Sequence, residues 1–123
     1  MKRILVVDDE PCVREVCSQY LSMVGYEVDA SASGEEALEA VVHRPYDLLI
    51  LDLFMNGISG LTTFNRLRSL APGAKAVVVS GSLDRYQREL EYARHNGLLG
   101  VLAKPFALPE LLKLVETALN NRQ

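Results

Sequence analysis

Only two cysteines occur in the chain, Cys12 and Cys17, and their spacing matches neither a metal-binding nor a redox pair. A disulfide-stapled scaffold is therefore excluded. Both read as helix-packing or surface thiols of a reducing compartment, so a cytoplasmic location is expected. No apolar run is long enough to span a bilayer, and no membrane insertion is expected. Met1-Lys2-Arg3 has the basic character of a signal-peptide start. The run Ile4 to Val7 that follows is too short for one, and Asp8-Asp9-Glu10 ends it. A concentrated basic face is missing too. Net charge is −3 and Arg14, Arg44, Arg66, Arg68, Arg85 and Arg88 are scattered, so direct nucleic-acid binding is not expected. There is no internal repeat, low-complexity stretch or linker. The 123 residues, 49% of them hydrophobic, suit one globular domain over 1–123.

What is present is a regular alternation. Continuous apolar runs at Ile4–Val7, Leu48–Leu51, Ala76–Val79 and, more weakly, Val101-Leu102 predict strands buried on both faces, as in a parallel sheet. A half-polar strand is predicted at Tyr26–Ala30. Between them apolar residues recur at helical spacing. Val13, Val16, Cys17, Tyr20, Leu21 and Val24 follow Pro11 and stop at Gly25. Ser33 and Glu36 have the form of a capping box ahead of Ala37, Leu38, Val41 and Val42. Leu61, Phe64, Leu67 and Leu70 precede Pro72-Gly73. Tyr86, Leu90 and Ala93 precede Asn96-Gly97. Leu108, Leu111, Leu112, Val115 and Leu119 precede a tail, Asn120 to Gln123, that is expected to fray. Strand then helix, five times over, predicts an α/β fold with helices on both faces of a parallel sheet.

In open parallel sheets ligands bind beyond the carboxyl ends of the strands. Asp8 and Asp9 follow the first strand, Asp52 the third, Ser80 the fourth and Lys104 the fifth. Gathered carboxylates repel one another and call for a cation. Hard oxygen ligands favour Mg²⁺. Lys104 supplies a point charge for a phosphoryl oxygen and Ser80 a hydroxyl. Such a site can transfer a phosphoryl group to a carboxylate, by positioning and charge neutralisation. Each residue also has a plainer reading: helix cap for Asp8 or Asp9, turn residue for Asp52, loop punctuation for Ser80, surface charge for Lys104. His43 and His95, each at a helix end, read as partners of the helix dipole rather than as phosphoacceptors.

With Asp8-Asp9-Glu10, Asp52-Leu53-Phe54-Met55 running to Gly60, Ser80-Gly81 and Lys104-Pro105-Phe106, the chain resembles the response regulator receiver (CheY-like) family over nearly its whole length. The resemblance implies a flavodoxin-like (βα)5 doubly wound sheet of strand order 2-1-3-4-5. It implies Asp52 as phosphoacceptor. Mg²⁺ would be held by Asp9, Asp52 and the Phe54 carbonyl, and by Asp8 through water. Ser80 and Lys104 would grip the phosphoryl oxygens, and Lys104-Pro105 would be a cis bond. It implies a two-component signalling domain rather than a turnover enzyme. Its partners would be a histidine kinase or phosphotransfer protein, docking on exposed positions of the first helix such as Arg14, and a downstream effector that the sequence does not name.

Three departures stand out. Asn56 replaces the usual proline, Val101 replaces an aromatic switch residue, and the segment from Ser80 to Lys104 is slightly long. They bear on output through the fourth helix and fifth strand, near Arg85, Arg88 and Arg94, which read as a solvated face. Phe54 and Ser82 occupy positions that tune hydrolysis in the family. Two rival readings remain open, an aspartyl-phosphate phosphatase and a phosphorylation-independent docking module. The chain can equally be one domain of a longer protein.

Overall fold

The computed structural model describes residues 1–120. In chain order its elements are β1 (Arg3–Val7), α1 (Pro11–Val24), β2 (Glu27–Ser31), α2 (Gly34–His43), β3 (Leu48–Asp52) and α3 (Gly60–Leu70). There follow β4 (Lys75–Ser80), a 3-10 turn (Leu83–Tyr86), α4 (Gln87–His95), β5 (Val101–Ala103) and α5 (Leu108–Leu119). All five strands pair in parallel in the order β2-β1-β3-β4-β5, the flavodoxin-like arrangement that the sequence implied. Beyond Asn120, the expected fraying tail lies outside the described residues.

Strand parity sorts the core into two layers. Leu5, Val7, Leu49, Leu51, Ala76 and Val78 face α2, α3 and α4 through Ala37, Val41, Phe64, Leu67, Leu90 and Ala93. Ile4, Val6, Leu48, Ile50, Val77 and Val79 face α1 and α5 through Cys17, Leu21, Leu111, Val115 and Ala118. Every residue of β3 is buried, which is why its sequence is an unbroken apolar run as far as Asp52. The edge strand β2 is half-polar. Its Asp29 accepts from the Tyr46 hydroxyl at 2.6 Å and from Arg44 at 3.2 Å, placing charge on a sheet edge that would otherwise pair with another chain.

The helix ends follow local chemistry. Pro11 starts α1, and Gly25 ends it at φ 118, a left-handed position that a side chain disfavours. Ser33 Oγ caps α2 by accepting from the Glu36 N–H. The return arm differs from the expected box, since Glu36 accepts from Ala32 N–H rather than from Ser33. His43 and His95 close α2 and α4 as expected. Cys12 is exposed and Cys17 buried. Among the described residues no helix is long and apolar enough to cross a membrane.

Candidate functional site

The parallel register fixes what can meet. Val7 pairs with Leu51, Asp52 with Val79 and Ser80 with Ala103. Asp8, Asp52, Ser80 and Lys104 thus all arrive at the carboxyl edge of neighbouring strands. Asp8, Asp52 and Ser80 are each at most 4% exposed. The Lys104-Pro105 peptide bond is cis.

Lys104 is the cation at the centre of this group. Its Nζ lies 2.8 Å from Asp8 Oδ2, 3.4 Å from Asp52 Oδ2 and 3.6 Å from Glu10 Oε1. Burial alone would lower its pKa, but these carboxylates outweigh burial and raise it. Asp8 is fixed from three sides. Its Oδ1 accepts from the Glu10 N–H at 2.9 Å, its carbonyl accepts from Arg14 at 2.8 Å, and its own N–H donates to the Ser31 carbonyl. Arg14, expected to be exposed, is therefore half-buried and braces the end of β1.

Asp52 ionises with difficulty. Burial first, and then the charge of Asp8, push its carboxyl up to about 6 from an ordinary 3.8. The Lys104 charge, with the Phe54 backbone N–H, favours the ionised form and only partly opposes this. The Ser80 hydroxyl accepts from the Ser82 N–H at 3.1 Å. Phe54 lies on the loop after β3, its ring exposed and edge-on to Tyr86 with centroids 5.1 Å apart and planes at 70°.

Asp8, Glu10 and Asp52 each offer a carboxylate oxygen within 4.8 Å of the others. Hard oxygens around one ammonium leave excess negative charge, so the donor set suits a small divalent cation. Glu10 is the member that sequence reasoning left without a role. The signal was present as the third acid of Asp8-Asp9-Glu10. Asp9, expected as a direct ligand, is held apart from the group: its Oδ2 accepts from the Asn56 N–H at 3.1 Å. Val101 is half-buried and packs on the α2, α3 and α4 layer. Arg85, Arg88 and Arg94 are all exposed, the solvated face that was expected.

An acidic cluster with Asp8 and Asp52 buried and Glu10 exposed, bridged by a lysine at the strand ends of a 2-1-3-4-5 sheet, defines a class, and comparison with known proteins agrees with it. The sequence profile described as the response regulator receiver domain matches residues 4–116. The chain belongs to that family, which consists of signalling domains of two-component systems. It is 37% identical over 117 residues to the response regulator MprA of Mycobacterium leprae, covering 95% of this chain and 50% of that protein. Among solved structures it is 38% identical to the response regulator TrrA of Thermotoga maritima, with a TM-score of 0.84. That match covers 96% of this chain and 99% of the other, which was solved in complex with Mg²⁺ and a beryllium fluoride. A response regulator of Burkholderia pseudomallei, solved with a phosphorylated aspartic acid, superposes with a TM-score of 0.79 at 26% identity, over 99% of this chain and 76% of that one. The chain spans about half the length of the curated relatives first matched.

Proposed function

We propose that residues 1–123 act as one receiver domain that accepts a phosphoryl group on Asp52 from a phosphohistidine donor and thereby switches a protein-interaction surface. The observation that carries this reading is the meeting of a buried Asp52 with Lys104 Nζ at 3.4 Å, between Asp8 and Ser80 on neighbouring strand ends. A carboxyl that ionises near pH 6 is an anion at neutral pH and can attack phosphorus. The Asp52 oxygen forms the new bond to phosphorus as the bond to the donor's histidine nitrogen breaks. That nitrogen keeps the electron pair and takes up a proton. Lys104 can turn from Asp8 toward a phosphoryl oxygen, and the Ser80 hydroxyl has its proton free to donate to another. Charge spread over equatorial oxygens is what such donors stabilise.

Asp8, Asp52, the Phe54 carbonyl and either Asp9 or Glu10 would hold Mg²⁺. The ion supplies charge neutralisation for incoming phosphoryl oxygens. The partners are a histidine kinase or phosphotransfer protein and a downstream effector, in the cytoplasm. The phosphorylated aspartic acid of the Burkholderia relative and the Mg²⁺ complex of TrrA support the reading.

Intact-mass measurement after incubation with Mg²⁺ and acetyl phosphate tests it. One phosphoryl adduct is expected, dependent on Mg²⁺ and missing in Asp52→Ala. If neither acetyl phosphate nor a phosphorylated histidine kinase gives an adduct, the docking-module reading replaces this one. Turnover of small phosphate esters would point to a phosphatase instead.

A further inference from the structure

We propose that Glu35, on α2, is a positioning residue of the site: its carboxylate pins the loop after β3, which carries the Phe54 carbonyl, in the place where that carbonyl can serve Mg²⁺. The inference rests on the reading of Asp8, Asp52 and the Phe54 carbonyl as ligands of the ion. It adds a residue from an element that otherwise stands outside the site.

The loop runs from Leu53 to Ser59, between β3 and α3. Its base is closed by the Gly60 N–H, which donates to the Leu53 carbonyl at 3.0 Å. Its tip, Asn56-Gly57-Ile58, is held by two carboxylates from different elements. Asp9, after β1, accepts from the Asn56 N–H at 3.1 Å. Glu35, in the first turn of α2, accepts from the Ile58 N–H at 3.3 Å. Gly57, between those two donors, sits at φ 86 in the left-handed region. Its missing side chain is what admits the carboxylate, since a Cβ there would lie 2.5 and 2.7 Å from the two Glu35 oxygens. The helix end that carries Glu35 is itself pressed on the loop. Gly34 is buried, and a Cβ on it would meet Thr63 Oγ1 and, at 2.7 Å, Ile58 Cγ1.

The end of α2 does not depend on Glu35 for its cap. Ser33 Oγ accepts from the Glu36 N–H, and Glu36 accepts from the Ala32 N–H. Glu35 turns to the loop instead. The two holds on the tip also differ in what a cation does to them. Asp9 stands next to Asp8 in sequence and is itself a candidate ligand, so an ion competes with Asn56 for it. Glu35 lies outside the group of Asp8, Glu10 and Asp52, and its hold on Ile58 outlasts the release of Asn56 by Asp9. A loop already held in its bound form spares the ion the cost of ordering it.

The test is Mg²⁺ titration at pH 7.5, followed by backbone amide resonances. Glu35→Ala should weaken Mg²⁺ binding about two- to tenfold, the range that one net hydrogen bond spans. Glu35→Gln keeps an acceptor oxygen without the charge and should stay within about twofold of wild type. Glu39→Ala removes an exposed charge one turn further along α2 and should leave the affinity unchanged. Without metal, the Ile58 amide proton should exchange faster in Glu35→Ala than in wild type, and not in Glu35→Gln. Unchanged affinity in Glu35→Ala, with an effect on urea unfolding alone, would reduce Glu35 to a partner of the helix dipole and overturn this proposal. Glu35→Gln as weak as Glu35→Ala would overturn it too, because charge and not the hydrogen bond would then be acting. A wild type that binds no Mg²⁺ would overturn the metal reading and this proposal with it.

Discussion

Asp52 should weaken the fold that carries it, and Asp52→Asn measures by how much. In the folded chain its carboxyl ionises near 6 instead of at the ordinary 3.8, because it is buried and faces Asp8. A gap of that size corresponds to roughly 3 kcal/mol. Between those two pH values the native chain holds a proton that the unfolded chain has released. Stability therefore falls as pH rises from about 4 to about 6, and the penalty is fully present above that window. Asparagine has the same shape without the charge. Lys104 keeps Asp8 at 2.8 Å and Glu10 at 3.6 Å. Urea unfolding at pH 7.5 in EDTA should show the variant more stable by about 2–3 kcal/mol. Toward pH 4 the gap should close. Saturating Mg²⁺ should narrow it as well, since a ligand of the ionised cluster stabilises the wild type more. A variant equal to or weaker than wild type at pH 7.5 in EDTA would refute the argument that charge crowding at this site opposes folding.

Lys104→Met removes the cation facing three carboxylates. In EDTA at pH 7.5 it should cost about 2–4 kcal/mol in urea unfolding, with recovery as the acids protonate below pH 5. Gly60→Ala would place a methyl group on the backbone carbonyl oxygen of Asp52, at the first residue of α3. A loss of about 1–3 kcal/mol is expected from overpacking, whereas helix propensity alone would give a gain of up to about 1 kcal/mol, so the sign of the change in thermal unfolding decides. Asn56→Pro deletes the N–H that holds Asp9. Freed from that bond, Asp9 should raise Mg²⁺ affinity by about two- to fivefold in calorimetric titration; unchanged or weaker binding would show that the bond does not compete with the metal.

How far the sequence could be read depended on the range over which each feature is determined. The apolar runs of β1, β3 and β4 were visible because burial on both faces leaves no polar residue to interrupt them, whereas the weaker run of β5 is only half-buried. β2 falls one residue later than predicted, since an edge strand with Asp29 turned to Tyr46 and Arg44 has little apolar pattern to mark its ends. Tyr86, whose spacing to Leu90 and Ala93 places it in the fourth helix, instead ends the turn Leu83–Tyr86 before it. Its apolar spacing fits either, and the tether from Ser82 to Ser80 that selects the turn is not visible in a periodicity. Asp8, Asp52, Ser80 and Lys104 were legible because topology places every strand end of a parallel sheet on one edge. The separate hydrogen-bond partners of Asp9 and Glu10 were not. Asp8 Oδ1 draws in the Glu10 N–H, while the partner that holds Asp9 is a backbone N–H 47 residues away.

Rigidity and mobility are divided accordingly. β3 and β4 carry Asp52 and Ser80 on residues buried on both faces, so a new group on Asp52 finds a sheet that cannot yield without opening the core. What can yield are contacts that a phosphoryl group competes for directly: Lys104 on Asp8, and the Ser80 hydroxyl with the Ser82 N–H on it. The first lies beside the cis-proline loop and the second opens the turn that ends in Tyr86. Val101, paired with Val78 on β5, has no ring to swing between two positions. Under the proposed function, a surface change would begin in the loop from Ser80 to Tyr86, which leads into α4 at Gln87. Arg88 and Arg94, both exposed on α4, follow that loop in the chain, and substituting them tests whether a partner would read the change there.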